Sequence, residues 1–370
     1  MTSSLPAVPH HESSAADSPS IPGLDVDAFT TWCQADQPGL GTPRDVRLLT
    51  GGASNITLAF TSDRGPLVLR RPPLGHVMAT AHDMSREYRV LSALADTGVP
   101  VPRTLFQHDD TDGRAGVGQP FFIMEFVEGL ALTDRDAGQA VPEQHRHGLS
   151  LDLARVLADL HTVDPREVGL ADFGRPAGFL ARQAQRWNRQ LTASTSRELP
   201  DLDRLGTRLL DTAPEPSGVG IVHGDYKFNN TLVRTTDEST IVAVLDWEMS
   251  TLGDPLTDLA TLGIYWDMPE ISEATRRHFA TPVDQAAGYA AFDDLAAEYV
   301  RRRGLPGLEL DWYLAMAAFK VAVIVESLHF RFRQGKAVGE ESRYAGEMTE
   351  PLAALGLRHL AAWERKNGGN

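Results

Sequence analysis

The sequence predicts an α+β protein in which a small strand-rich lobe is followed by a larger, mostly helical lobe. Short apolar runs separated by turn residues fill the region between residues 46 and 70, which is the pattern of β-strands. Beyond residue 129, long segments carry wide apolar stripes at helical spacing, which is typical of a helix bundle. A chain of 370 residues has room for two lobes and an ample core.

The composition is that of a soluble globular protein, with 42% hydrophobic and 23% charged residues. A net charge of -15 argues against nonspecific nucleic-acid binding, because phosphate backbones attract basic surfaces. The single cysteine, Cys33, excludes an internal disulfide and fits a reducing compartment. Residues 1–22 lack a signal-peptide pattern, and no uninterrupted apolar stretch approaches the roughly 18 residues of a membrane span. We therefore expect a cytoplasmic protein without nucleic-acid or membrane partners.

The first part of the chain divides into a tail and a lobe of strands. Residues 1–22, rich in Ser, Pro and Ala, are expected to be disordered, and residues 23–127 form the first predicted lobe. Strands are predicted at 46–49, 56–60 and 67–70, and a helix at 83–95, before Gly98 and Pro100. The apolar run from residue 120 predicts a buried strand that ends in a polar turn near residue 127.

Residues 128–370 form the second predicted lobe. Its predicted helices span 142–162, 177–192, 202–213, 255–265, 282–303, 311–334 and 343–366. Two short apolar runs, at 219–222 and 241–245, interrupt this helical region and read as strands. Each of these runs leads directly into a cluster of polar residues.

The two polar clusters are His223-Gly224-Asp225-Tyr226-Lys227-Phe228-Asn229-Asn230 and Asp246-Trp247-Glu248. Asp225 and Asn230 stand five residues apart, and Asp246 follows after a short strand. An ATP-dependent phosphotransferase needs such a set, because one carboxylate meets the acceptor hydroxyl while an amide oxygen and a second carboxylate hold Mg²⁺. Asp- and Asn-rich stretches are often only solvated turns. Two clusters in order, each placed at a strand end, favour a functional site.

These clusters resemble the catalytic and metal-binding loops of the aminoglycoside phosphotransferase and choline kinase-like family, a branch of the protein-kinase-like fold. The matching residues are His223, Gly224, Asp225, Asn230, Asp246 and Glu248. Residues 253–260 also resemble the family's segment after the metal-binding loop. The resemblance implies a bilobal fold with a small antiparallel sheet in the N-terminal lobe, and it implies that ATP and Mg²⁺ bind.

The resemblance also implies a role for each matching residue. Asp225 is expected to be the catalytic residue, which orients the acceptor hydroxyl and takes its proton late. Asn230 and Asp246 are the expected Mg²⁺ ligands, and Glu248 is a weaker candidate. Asp258 resembles the buried acid that braces the catalytic loop through backbone amides, although a helix-exposed Asp is the competing interpretation.

The expected nucleotide contacts lie in the first lobe. The small-residue loop between the first two strands would approach the phosphates through backbone N–H groups, with contacts predicted at Gly51, Gly52, Ser54 and Asn55. Arg70 stands where a kinase has its phosphate-binding Lys, and Glu87 is expected to pair with it. An exposed strand-end arginine is the alternative. Backbone groups of Glu125 and Val127 are predicted to bind the adenine at the hinge between the lobes, whereas an ordinary core strand is the other interpretation.

Regulation by phosphorylation is not expected. Gly224 stands where protein kinases have an Arg that binds the phosphorylated activation loop. The segment between Asp246 and Asp254 is too short for a long regulatory loop. We therefore expect constitutive activity on a small molecule.

The acceptor is expected to be a small molecule with a hydroxyl group. From residue 260 onward the chain has 15 acidic and 13 basic residues, which is too balanced for a pocket that binds polycations. Residues 51–57 and 69–73 most resemble the branch related to kinase domains attached to acyl-CoA dehydrogenases, which implies a hydroxylated acyl compound or another small hydroxyl substrate rather than an antibiotic. Lys320, Ser327 and Arg331 lie on one face of a predicted helix, and this face could contact an anionic or acyl substrate. The alternative is that the two cations only extend their apolar stems from a buried helix towards solvent. An antibiotic kinase and a pseudokinase-like nucleotide-binding protein without turnover are the alternatives.

Overall fold

The computed structural model describes residues 21–49, 55–74, 83–235, 238–305, 307–337 and 339–367. The predicted tail therefore lies almost wholly outside the described residues, as do Gly51, Gly52 and Ser54 of the predicted phosphate loop. The lobe boundaries at 23–127 and 128–370 stay a prediction.

The N-terminal lobe contains a five-stranded antiparallel sheet with strand order β1-β2-β3-β5-β4. The strands are β1 (Arg44–Leu48), β2 (Ile56–Ser62), β3 (Gly65–Arg71), β4 (Thr104–His108) and β5 (Phe121–Glu125). The three predicted strands correspond to β1, β2 and β3 with shifted ends. The sequence pattern misses β4, in which only Leu105 and Phe106 are apolar.

Two helices cover the two faces of this sheet. Side chains alternate along β3, so Leu69 belongs to the apolar cluster of α1 (Val26–Asp36), and Val68 to the cluster of α2 (Met84–Leu94). The sequence pattern predicts α2 but misses α1. Both helices begin at an aspartate whose side chain accepts hydrogen bonds from backbone N–H groups of the first turn.

The same alternation separates two neighbouring arginines at the end of β3. Arg70 lies on the α2 face, towards the second lobe, where it meets Glu87. Arg71 lies on the opposite face and donates hydrogen bonds to the carbonyl oxygens of Gly23 and Val117. Both arginines are buried, so neither is an exposed strand-end residue.

The C-terminal lobe is mainly helical. Its helices are α3 (Arg135–Ala140), α4 (Glu143–Thr162), α5 (Phe179–Ala193), α6 (Pro200–Asp211), α7 (Leu256–Trp266), α8 (Met268–Ile271), α9 (Glu273–His278), α10 (Phe292–Arg303), α11 (Asp311–Arg333), α12 (Glu340–Tyr344) and α13 (Thr349–Asn367). Its short strands are β6 (Leu130–Ala131), β7 (Gly220–Val222), β8 (Thr231–Thr235), β9 (Ser239–Val244) and β10 (Thr251–Gly253). They form the antiparallel sheets β10-β7 and β6-β8-β9.

Two helices predicted as continuous are interrupted. The helix predicted at 282–303 begins only at Phe292, because Gly288 has a φ of +98° and ends a short 3₁₀ turn at Gln285–Ala287. The helix predicted at 343–366 is broken by a second 3₁₀ turn at Ala345–Glu347 and restarts at Thr349.

Helix α11 is the central helix of the C-terminal lobe. By length and composition alone it could cross a membrane, with a mean hydropathy of 1.5 over its most apolar window. Yet 61% of that window is buried inside the protein, where α11 packs against α5, α6, α7 and α13. The helix also carries the buried Glu326, which forms an ion pair with Arg197 at 2.6 Å. These contacts identify α11 as a core helix.

Candidate active site

Residues 223–230, here called the catalytic loop after the family motif that they match, follow β7. A buried carboxylate holds the backbone of this loop in place. Asp258 on α7 accepts hydrogen bonds from the backbone N–H groups of His223 (2.6 Å) and Gly224 (2.8 Å). Gly224 has a φ of +88°, and a Cβ at this position would lie 2.7 Å from the carbonyl oxygen of Met249. Glycine is therefore required at position 224. The hydrogen bonds that Asp258 accepts from the two loop N–H groups show that the competing interpretation of Asp258 as an exposed helical residue is wrong.

A buried histidine and two backbone N–H groups favour the ionised form of Asp258. Nε2 of His161 lies 3.3 Å from the Asp258 carboxylate, and Nδ1 of His161 lies 2.8 Å from the hydroxyl of Tyr299. Burial raises the pKa of Asp258, but its contacts with His161 and the loop amides outweigh burial and hold this pKa below its ordinary value. Burial lowers the pKa of His161, which keeps its imidazole neutral.

Asp225 lies within the catalytic loop beside Asn230 and a lysine. Its Oδ2 is 2.9 Å from Nζ of Lys227 and accepts a hydrogen bond from Nδ2 of Asn230 at 3.1 Å. Nδ2 of Asn230 also donates to the Asp225 backbone carbonyl at 2.8 Å. Burial raises the pKa of Asp225, but the charges of Lys227 and Lys320 outweigh burial and leave the pKa lowered. This carboxylate is therefore ionised at neutral pH and able to accept a hydrogen bond from a hydroxyl group.

Residues 246–250, here called the metal loop after the family motif that they match, begin one residue beyond the end of β9. Asp246 has a φ of +65°, in the left-handed region that aspartate and asparagine enter more readily than other non-glycine residues. The N–H of Leu245 donates to the carbonyl of Asn230 at 2.8 Å, which places the two loops side by side. Among the described residues no group of three or more His, Cys, Asp and Glu side chains could hold a metal alone. An amide and a carboxylate still fit Mg²⁺, which usually takes its other ligands from phosphates and water.

Arg70, Glu87 and Asp246 form an ion cluster between the two lobes, here called the arginine clamp. Nε of Arg70 lies 2.8 Å from Glu87, and Nη2 lies 2.8 Å from Asp246. Burial lowers the pKa of Arg70, but the two carboxylates outweigh it, and the pKa is raised overall. The clamp thus joins β3, α2 and the metal loop through one planar guanidinium.

A cleft of about 330 Å³ lies between the lobes. The predicted nucleotide and metal residues that line it are Asn55, Arg70, Glu87, Glu125, Val127, Asn230 and Asp246. At the proposed hinge, the backbone N–H of Glu125 donates a hydrogen bond to the carbonyl oxygen of Arg103 at 2.9 Å. Asn55 also reaches the metal loop, where its Nδ2 donates to Glu248 at 3.3 Å. The structure brings these residues together, and their roles stay predictions.

Residues 45–303, well over half of the chain, match the sequence model of the phosphotransferase enzyme family. The chain belongs to this family. The chain is 31% identical over 342 residues to acyl-CoA dehydrogenase family member 11 of Rattus norvegicus, an alignment that covers 90% of this chain and 43% of the relative. The chain therefore spans less than half the length of that relative.

Solved structures share the fold of this chain. A Ralstonia eutropha protein named as a candidate aminoglycoside phosphotransferase superposes with a TM-score of 0.77 at 30% identity, covering 92% of this chain and 99% of that one. A thermostable mutant of aminoglycoside phosphotransferase APH(4)-Ia, crystallised with AMP-PNP and hygromycin B, superposes with a TM-score of 0.57 at 16% identity, covering 90% and 99%. The predicted family, its acyl-CoA dehydrogenase-related branch and the protein-kinase-like bilobal fold are confirmed.

Two lysines contact residues 223–230: Lys227 was not predicted, whereas Lys320 was predicted only as part of a helix face that could meet the substrate. Lys227 lies between Asp225 and Asn230 in the sequence, and this position in a polar loop is a signal that could have found it. Its Nζ also lies 4.7 Å from the ring centroid of Tyr265. Lys320 comes from α11, and its Nζ donates to the Gly224 carbonyl at 2.6 Å. Only the folded chain shows this contact, because the two residues are 96 positions apart.

A second, small pocket of about 60 Å³ lies next to Gly224, between α5 and α11. Its apolar walls include Phe179, Trp187, Met249 and Met316, and its cations are Arg186 and Lys320. Ser327, predicted on the same helix face as Lys320, instead hydrogen-bonds to Ser194 at 2.6 Å. Of the predicted set at 320, 327 and 331, only Lys320 lines this pocket.

Proposed function

We propose that this chain is a Mg-ATP-dependent kinase that transfers the γ-phosphoryl group to a hydroxyl of a small molecule, with a hydroxyacyl compound as the acceptor. The observation that carries the proposal is the contact of Asp225 with Asn230, alongside the metal loop that begins at Asp246. Asn230 and Asp246, the proposed Mg²⁺ ligands, line the interlobe cleft, and Asp225, the proposed proton acceptor, lies next to Asn230. Phosphoryl transfer depends mainly on such positioning and charge stabilisation.

The cleft is the proposed ATP site. The carbonyl of Glu125 and the N–H of Val127 would hydrogen-bond to the adenine, and Arg70 would bind phosphate oxygens through its fork. Gly51, Gly52, Ser54 and Asn55 remain the proposed backbone contacts to the triphosphate. The AMP-PNP in a structure with the same fold is consistent with a nucleotide in this cleft.

Asn230 and Asp246 would hold Mg²⁺, which supplies charge stabilisation to the phosphate oxygens when bound. The ionised Asp225 would orient the acceptor hydroxyl and take its proton late in the transfer. Lys227, 2.9 Å from Asp225, keeps that carboxylate charged and in place. The loop amides bound to Asp258 fix the backbone that carries both side chains.

The acceptor would enter the pocket beside Gly224. Its apolar walls suit an acyl group, and two cations, Arg186 and Lys320, disfavour a polycationic aminoglycoside. Similarity to a relative named acyl-CoA dehydrogenase family member 11 points in the same direction. A cytoplasmic protein without nucleic-acid or membrane partners stays part of the proposal.

The test is a mass-detected phosphorylation screen. The purified chain is incubated with Mg-ATP and a panel that contains free hydroxy acids, hydroxyacyl thioesters and aminoglycosides. We expect a phosphorylated product from the hydroxyacyl compounds and none from the aminoglycosides, with Asp225→Asn as the inactive control. Nucleotide binding without a product from any acceptor would instead support the pseudokinase alternative.

A further inference from the structure

Two consecutive residues of α2, Arg86 and Glu87, point to different partners. Glu87 holds Arg70 of the arginine clamp. Arg86 reaches the C-terminal lobe, where its Nη2 donates to the carbonyl oxygens of Phe173 (2.5 Å) and Ser250 (3.0 Å). Its Nε also donates to the Ser250 carbonyl at 3.3 Å, and its guanidinium carbon lies 3.9 Å from the centroid of the Phe173 ring. Arg86 thus makes both hydrogen bonds and a cation–π contact.

The two carbonyl oxygens belong to segments that bear on the site. Ser250 is the last residue of the metal loop, four positions after Asp246. Phe173 lies in the connection between α4 and α5, which packs tightly on β10, since a Cβ on Gly174 would lie 2.6 Å from the Leu252 nitrogen. Arg86 therefore fastens α2 to a rigid corner of the C-terminal lobe.

The metal loop is consequently held at both ends from one turn of α2. At its first residue, Asp246 is bound through Arg70 to Glu87. At its last residue, Ser250 is bound directly by Arg86. A movement of α2 away from the C-terminal lobe would break both connections together. One turn further, Arg89 adds a hydrogen bond to the Gly169 carbonyl at 2.8 Å and an ion pair with Asp172.

We propose that Arg86 is a positioning residue that latches α2 onto the C-terminal lobe and so keeps Glu87, and through it Arg70, in the geometry that binds phosphate. The latch makes the site permanently assembled, without a phosphorylated loop to bring α2 into place. The activity readouts of this proposal rest on the proposed kinase function, while the binding and exchange readouts do not.

The first test is Arg86→Met, which keeps an apolar stem against Phe173 and removes every donor. We expect kcat to fall by about tenfold and Mg-ATP to bind several-fold more weakly, with faster hydrogen exchange of the α2 amides. Arg86→Lys, which retains charge and one donor group, should recover part of each loss and covers the case in which the Met variant does not fold. Arg44→Met, which removes the exposed pair with Asp63 in the same lobe, is the matched control and should change none of these quantities.

The second test separates a latch from a general structural role. If Arg86 acts by holding Glu87 in place, Arg86→Met should cost no more than about twofold in a Glu87→Gln background. A full tenfold loss in that background, or unchanged α2 exchange in Arg86→Met and Arg86→Lys, would overturn the latch. Absence of phosphoryl transfer by the unmodified chain would overturn the proposed function but not the role of Arg86. Nucleotide affinity and hydrogen exchange of the α2 amides would still test whether Arg86 latches α2.

Discussion

The catalytic loop and the arginine clamp are held by different kinds of contact. The catalytic loop belongs to one lobe, and its support from Asp258 consists of hydrogen bonds to backbone N–H groups in a buried core. The clamp joins the lobes, because Arg70 comes from β3, Glu87 from α2 and Asp246 from the metal loop. The residues proposed for the acceptor side are therefore held within the C-terminal lobe, whereas those proposed to bind phosphate depend on how the N-terminal lobe contacts it.

The largest effect is expected on the catalytic-loop side, at Asp225. Asp225→Asn keeps the shape of the side chain and removes the proton acceptor, so kcat should fall by about a thousandfold. Mg-ATP affinity, measured by calorimetry, should change little, because this carboxylate does not line the interlobe cleft. Turnover within about tenfold of the unmodified enzyme would contradict the assignment.

A smaller but still large effect is expected at Asp246, where the two regions meet. Asp246→Asn removes a charged Mg²⁺ ligand and the ion pair with Arg70, so activity should fall by about a hundredfold and the Mg²⁺ titration should shift to higher concentration. Glu248→Gln is the matched control in the same loop. An equal shift in both variants would make Glu248 a metal ligand as well.

The clamp itself is expected to act on the nucleotide as a coupled unit. Arg70→Met and Glu87→Gln should each raise the KM for ATP by about tenfold, and the double variant should cost clearly less than the product of the two effects. Additive losses would show that the two residues act independently.

Arg71 is the control for the comparison of single and double variants of Arg70 and Glu87, although replacing Arg71 is expected to affect stability. Arg71→Met should leave the KM for ATP unchanged, because Arg71 faces away from the cleft. It should lower the melting temperature, because it removes buried donors from the carbonyl groups of Gly23 and Val117. A larger effect on KM than that of Arg70→Met would move the clamp by one residue.

The sequence predicted the parts of the molecule that depend on short-range pattern. The spacing of Asp225, Asn230 and Asp246 located both polar loops, because each loop begins within two residues of the end of an apolar strand. Residue alternation separated Arg70 from Arg71 for the same local reason. The roles of these residues are for the variants above to decide.

The remaining features depend on contacts between distant segments or on backbone geometry. The contact of Lys320 with Gly224 joins residues 96 positions apart, and Arg86 binds two backbone carbonyl groups that have no signature in the sequence. The break in the helix before Phe292 depends on the left-handed conformation of Gly288. The apolar residues on both sides of Gly288 continue the helical pattern, so the sequence does not indicate the break. Such features follow from the packed chain rather than from periodicity.

The smallest expected effect concerns pH and belongs to the support of the catalytic loop. Burial lowers the pKa of His161. As the pH falls, the imidazole is therefore protonated in the unfolded chain before it is protonated in the folded chain. The contribution of neutral His161 to stability is therefore present above the unfolded pKa of about 6.5 and is lost progressively as the pH falls below it. Asp258 has a lowered pKa in the folded state, so its own contribution is lost only below about pH 4.

His161→Gln separates these two windows. The variant should be less stable than the unmodified chain at pH 8, because glutamine replaces the imidazole between Asp258 and Tyr299. Guanidinium unfolding between pH 8 and pH 5 should show this gap narrowing as the pH falls, since only the unmodified chain loses the contribution of a neutral His161. A gap that stays constant over this range would mean that His161 does not titrate with unfolding. In that case Asp258 alone would account for the acid sensitivity of the catalytic loop, and the onset of the loss would move to about pH 4.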